Sequence, residues 1–191
     1  MKICAGRIGQ QINESSISND CGIDVRTVRS WLSVLEQSYV IKVIQPFYNN
    51  FNKRIVKAPK MYFTDTGLAC SLLAIRNVEE LKLSHFYGAL VENYIIIDLI
   101  KNNANDKKNQ DFYYWRDSNG VEVDLILNEG NTFLPVEIKS AQTFSNDFSK
   151  NIKKIKSYSN NTKSVIVYDG TMEFETTDGI EVCNWATLLM K

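Results

Sequence analysis

Apolar positions in the first third of the chain recur mostly at helical spacing. Ile3, Ala5, Ile8 and Ile12 share one helical face and predict a first helix over residues 3–13. A short helix over 15–21 is expected next, with Gly22 free to take the left-handed turn at its end. Asp24 is suited to cap a helix reaching about Gln37, whose buried stripe is Val25, Val28, Leu32 and Leu35. The pattern then turns β-branched: Tyr39–Phe47 reads as a strand, and Lys60–Thr64 as its return partner across a loop rich in Asn and Lys. Asp65 caps a short helix, Thr66–Ala74, and a polar connector, Arg76–Lys82, leads to a long helix from His85 to about Lys101.

Beyond a polar stretch over 102–110 the period changes to two. Strands are predicted at Phe112–Arg116, at Val121–Leu127 after an Asn119-Gly120 turn, and at Thr132–Lys139 after a turn over Asn128–Asn131. An amphipathic helix over 145–158, strands at 164–168 and 180–183, and a terminal helix over 185–190 complete the pattern. Two domains are expected, residues 1–75 and 85–191, the second with the α/β element order αβββαβ around a mixed central sheet.

Composition adds an asymmetry to this division. The 191 residues carry 22 Lys and Arg against 22 Asp and Glu, so the whole chain has no basic excess. Residues 1–64, however, hold nine basic against four acidic side chains, and the remainder thirteen against eighteen. A polyanion-binding surface is therefore expected in the first third. Four widely spaced cysteines and a single histidine, His85, argue against a zinc site or a Cys/His catalytic pair. With no apolar run long enough to span a membrane and no signal peptide, a cytoplasmic location with reduced thiols is expected.

Two short helices around Gly22 suggest a helix-turn-helix, or else a small helical bundle with a solvated face. On the former reading Arg26, Arg29, Ser30 and Ser33 face DNA from the second helix. Lys53, Arg54, Lys57 and Lys60 then stand where a basic wing approaches phosphate.

The stretch from Val121 to Ser140 carries charge among branched aliphatics. Side chains two apart share a strand face, so Glu137 and Lys139 point one way while Val136 and Ile138 enter a core. Paired strands allow Asp124, Glu137 and Lys139 to converge. Two carboxylates offer hard oxygen ligands for Mg²⁺ or Mn²⁺, and the lysine can orient a water or offset charge on a phosphate. The plain alternative is an edge-strand ion pair worth about 0–1 kcal/mol.

Asp124, twelve intervening residues and Glu137-Ile138-Lys139 resemble the PD-(D/E)XK nuclease superfamily, and the element order of residues 85–191 resembles its restriction-endonuclease-like fold. Further stretches narrow the likeness: Gly9-Gln10-Gln11-Ile12-Asn13, the run from Pro59 to Leu68, Gly88-Ala89-Leu90-Val91-Glu92-Asn93, Tyr113-Tyr114-Trp115-Arg116, Glu122-Val123-Asp124 and Val136-Glu137-Ile138-Lys139-Ser140. Together they resemble the C-terminal region of prokaryotic AAA-type ATPases, a winged helix followed by a PD-(D/E)XK-like domain. The resemblance implies a catalytic set of Glu92, Asp124, Glu137 and Lys139, and a metal held by Asp124, Glu137 and the Ile138 carbonyl. It also implies DNA and an ATPase module as partners. No G-x-x-x-x-G-K-[ST] stretch is present, so ATP hydrolysis is not expected of these residues, which read as a fragment or a reduced homologue. Metal-dependent hydrolysis of DNA is the expected activity. A non-catalytic DNA-binding module, or a docking platform that includes homo-oligomers, is the alternative.

Overall fold

The computed structural model describes residues 1–48, 58–107, 110–130, 132–158 and 163–190. The chain is mixed α/β and divides into two compact units: Met1–Ile44 with Ala58–Ile97, and Gln45–Lys57 with Asp98–Lys191. Among the described residues no helix is long and apolar enough to cross a membrane.

In the first unit α1 (Lys2–Ala5) is much shorter than the apolar spacing predicts. Gly9 takes φ +71°, and the segment after it pairs as backbone rather than winding on: Gly9 N donates to Met61 O at 2.9 Å and Ile12 N to Pro59 O at 2.7 Å. Ile8 and Ile12 thus keep apolar surroundings without a helix. The next two helices follow the sequence expectation. α2 (Glu14–Cys21) ends on Gly22 in the left-handed region, and α3 (Val25–Gln37) begins on Asp24, whose carboxylate accepts from Thr27 N at 3.0 Å. Val28 and Leu32 are the buried members of the α3 stripe.

Strand β1 (Ile41–Pro46) pairs antiparallel with β2 (Lys60–Phe63), Ile41 lying opposite Phe63. Helix α4 (Thr66–Leu72) starts on the Asp65 cap, and α5 (Val78–Leu83) occupies part of the predicted connector. The long α6 (Tyr87–Asn105) belongs to this unit as far as Ile97. It is tied to β2 through Asn93, which is fully buried. The Asn93 amide accepts from Phe63 N at 2.7 Å and donates to Phe63 O and to Thr66 Oγ1, each at 2.9 Å. Asn93→Leu leaves both main-chain groups of Phe63 buried without those partners. We expect it to lower unfolding free energy in urea by about 2–4 kcal/mol, whereas an Asn on an exposed helix face tolerates the change within about 0.5 kcal/mol.

The second unit is built on a mixed sheet. The last residues of β1, Gln45 and Pro46, pair parallel with Tyr113 and Tyr114 of β3 (Asp111–Arg116). A meander of β3, β4 (Glu122–Glu129) and β5 (Thr132–Ile138) follows. β5 then pairs parallel with β6 (Val165–Tyr168), and β6 parallel with β8 (Glu181–Asn184). The short β7 (Phe174–Glu175) returns antiparallel on β8, an edge pairing the hydrophobic pattern does not announce. The helix predicted over 145–158 divides into a 3₁₀ turn, Asn146–Ser149, and α7 (Lys150–Lys156). α8 (Trp185–Leu189) ends the described chain.

The expected 102–110 loop is shorter than its polarity suggests, because α6 continues to Asn105. Asn102 donates there to Leu189 O at 3.1 Å, and the Asn103 side chain pairs with the Gln110 backbone. α7 packs on β4 and β5 with Ile152 and Ile155 fully buried, joining Ile126, Ile166 and Val182 in one core. The β5 face that carries Glu137 is therefore an interior face, and alternation along this strand does not separate core from solvent.

Candidate functional site

The hairpin between β3 and β4 sets the direction of the strand that carries Asp124. Asp117 Oδ1 accepts from Asn119 N at 2.8 Å and Val121 N at 3.0 Å, and Gly120 supplies φ +84°, which a β-carbon disfavours. The β4–β5 ladder pairs Leu125 with Val136, and one further step of that register brings Asp124 opposite Glu137. At that point a side chain replaces the backbone partner: Ile138 N donates to Asp124 Oδ2 at 2.8 Å. Lys139 N turns instead to Val167 O at 2.8 Å. The Asp124 carboxylate thus ends the ladder and holds the tip of β5 beside it.

Glu137 is 1% exposed. Its Oε1 accepts from Lys139 Nζ at 2.6 Å and from Asn151 Nδ2 at 3.0 Å. Its Oε2 is buried with no hydrogen-bond partner among the described residues. Burial, and next to it the charge of Asp124, push the Glu137 carboxyl up to about 8, against the opposing pull of Lys139 and Asn151. Removal from water outweighs the 2.6 Å ion pair. Lys139 keeps about a third of its side chain exposed, so it can reach outward from the pair.

Asp124, Glu137 and Lys139 are therefore brought together as the strand pattern anticipates, with Ile138 held between them by its backbone. Two neighbouring carboxylates, one with a buried bare oxygen, suit a hard divalent cation that keeps several waters. The donor set fits Mg²⁺ or Mn²⁺. Among the described residues no group of three or more His, Cys, Asp or Glu is placed to hold a metal ion.

Glu92 stands in the first unit, on α6. Its Oε1 accepts from Tyr62 OH at 2.6 Å and Lys60 Nζ at 3.1 Å, and a β-carbon on Gly9 would meet its carboxylate at 3.6–3.7 Å. Lys60 is 2% exposed, which corrects its expected place on a phosphate-facing wing: the ammonium is paired inside the unit. Arg26, Ser30 and Ser33 are exposed along α3. Arg29 is held by Glu14 in a two-pronged pair, 2.6 and 3.1 Å, so its guanidinium is already engaged. Lys53, Arg54 and Lys57 lie outside the described residues.

Sequence reasoning missed Asn151 and Asn93. The signal was present for the first, since a polar side chain follows the apolar spacing of Phe148, Ile152 and Ile155 on a helix otherwise rich in lysine.

Residues 87–188 match a family described as a domain of unknown function, DUF4143, and residues 1–79 a second domain of unknown function, DUF8612. The chain is 27% identical over 172 residues to an uncharacterised protein of Mycobacterium bovis and to one of Mycobacterium tuberculosis, covering 90% of the chain and 38% of each relative. It thus spans well under half the length of the curated relatives it matches. No solved structure matches it.

Proposed function

This chain belongs to the DUF4143 family, and from that premise we propose that it is the DNA-binding, Mg²⁺- or Mn²⁺-dependent phosphodiesterase region of an AAA-type ATPase. In this reading the second unit is a PD-(D/E)XK-type nuclease domain. In the first, α2 and α3 form a helix-turn-helix, with β1 and β2 as the base of its wing. The observation that carries the proposal is the bare, buried Oε2 of Glu137 beside Asp124. A carboxylate oxygen left without a donor in the interior costs stability, and a cation at the same place offsets that cost. The mycobacterial relatives extend well beyond the matched region, which leaves room for a further module in those proteins.

A Mg²⁺ or Mn²⁺ ion held there would supply Lewis acidity and an activated water. Asp124 and Glu137 would hold the cation, and Asp124 also fixes Ile138 through its backbone N–H. Lys139 pairs with Glu137 at rest and carries a charge able to reach an attacking water or a phosphate oxygen. Arg26, Ser30 and Ser33 provide an exposed polar helix face for the duplex.

A supercoiled plasmid incubated with the protein and Mn²⁺ or Mg²⁺ tests this. Cleavage should require the cation and fall at least 100-fold in Asp124→Ala, with calorimetric metal binding lost in parallel. Cation-dependent cleavage unchanged in Asp124→Ala would sink the assignment. A non-catalytic DNA-binding or docking module is the second reading, favoured by the acidic balance of residues 65–191. Salt-sensitive DNA binding with no cleavage in either metal would select it.

A further inference from the structure

Resting on the metal-site reading above, we propose that Asn151 is the positioning residue that turns the Glu137 carboxylate so that Oε2 is the ligand atom. Both polar contacts of this carboxylate fall on one oxygen, Lys139 Nζ at 2.6 Å and Asn151 Nδ2 at 3.0 Å on Oε1. A carboxyl group can accept at either oxygen, yet here both donors fall on Oε1. Here the asymmetry leaves Oε2 open and fixes which way it points.

The two donors differ in kind. Lys139 has a long side chain, about a third exposed, and its charge is the one suited to leave Glu137 for water or phosphate. Asn151 has a short side chain on α7, and its neighbour Ile152, like Ile155, is fully buried. It stays in place when the lysine moves, and so keeps the carboxylate orientation through the reaction. Asn151 is half-buried at the edge of the Phe148, Ile152 and Ile155 stripe. Partners that orient a metal ligand in this way typically affect metal affinity 10- to 100-fold.

The test is Mn²⁺ titration by calorimetry into the wild-type chain and into Glu137→Ala, Asn151→Leu and Asn151→Gln, with thermal melts of each in EDTA and single-turnover plasmid cleavage at saturating DNA. Leucine keeps the branched heavy-atom skeleton of asparagine, at larger volume, without its donor; glutamine keeps the amide. The expected result is Mn²⁺ binding lost in Glu137→Ala and weakened about 10-fold or more in Asn151→Leu, whose melting temperature in EDTA is not lowered. Part of the affinity returns in Asn151→Gln, and the cleavage rate at saturating DNA falls with the affinity. Wild-type affinity in Asn151→Leu, while Glu137→Ala binds no Mn²⁺, overturns the role of Asn151 and leaves the metal site standing. Loss of affinity only in step with a lowered melting temperature, without recovery in Asn151→Gln, assigns Asn151 to the core instead and also overturns it. No Mn²⁺ binding by the wild type removes both readings at once.

Discussion

Glu137→Gln should abolish the fall in stability that the metal-free protein shows between about pH 5 and pH 8. The Glu137 carboxyl is pushed from its ordinary 4.5 up to about 8 in the fold, by burial first and by the charge of Asp124 second. A carboxyl with a raised folded pKa binds more protons in the native than in the unfolded state between those two values. Its contribution is therefore complete below pH 4.5 and is lost as pH rises through about 8. At pH 7 the deficit is on the order of 3 kcal/mol, taking about 1.4 kcal/mol for each pH unit above the unfolded pKa.

Urea unfolding in EDTA at pH 5, 6, 7 and 8 reads this slope directly. Glutamine keeps the shape of the side chain and an acceptor for Lys139 and Asn151, but carries no ionisable proton, so its curve should be flat where the wild type declines. Saturating Mn²⁺ should flatten the wild-type curve and leave the variant unmoved, because the cation offsets the charge that burial penalises. A wild type equally stable at pH 5 and pH 8 in EDTA contradicts the burial of an unmet carboxylate oxygen.

Glu92→Ala is expected to cost about 3–5 kcal/mol in urea unfolding, the second large effect. The substitution removes the acceptor of Lys60 and Tyr62, and the Lys60 side chain is only 3% exposed, so a nearly buried ammonium loses its carboxylate. Removing both members as Glu92→Leu with Lys60→Met should recover most of that loss, since two apolar side chains of similar volume need no countercharge. An exposed helix carboxylate, by contrast, changes stability by no more than about 0.5 kcal/mol. A loss of cleavage in Glu92→Ala speaks to chemistry only if assayed at a temperature where this variant is shown to be folded.

Much of the framework was legible because local rules act within a few residues. Caps at Asp24 and Asp65, the left-handed end at Gly22 and the Asn119-Gly120 turn all appear where their side-chain chemistry requires them. Strand period and motif spacing likewise brought Asp124, Glu137 and Lys139 to adjacent positions. The failures have one physical source. Ile8 and Ile12 have helical spacing, yet backbone bonds from residues 9–12 to 59–61 compete with helix propagation and win after Gly6 and Gly9. The tail of α6 is polar enough to read as a loop, yet Asn102 finds a partner far along the chain, at Leu189 O, and Asn103 one on the nearby Gln110 backbone.

By itself the sequence determined most of the element types, the β3–β5 meander and the nearness of the two carboxylates and the lysine, because each depends on periodicity or on short-range turn geometry. Burial was decided only by tertiary structure. α7 covers the face of β5 that alternation alone leaves open, which encloses Glu137, brings Asn151 onto one of its oxygens and leaves the other bare. Lys60, read from its neighbours as a surface cation, is an interior one, buried at the start of β2 and paired with Glu92 of α6. A charged group's environment is set by what packs on it from distant parts of the chain, and no local pattern carries that information.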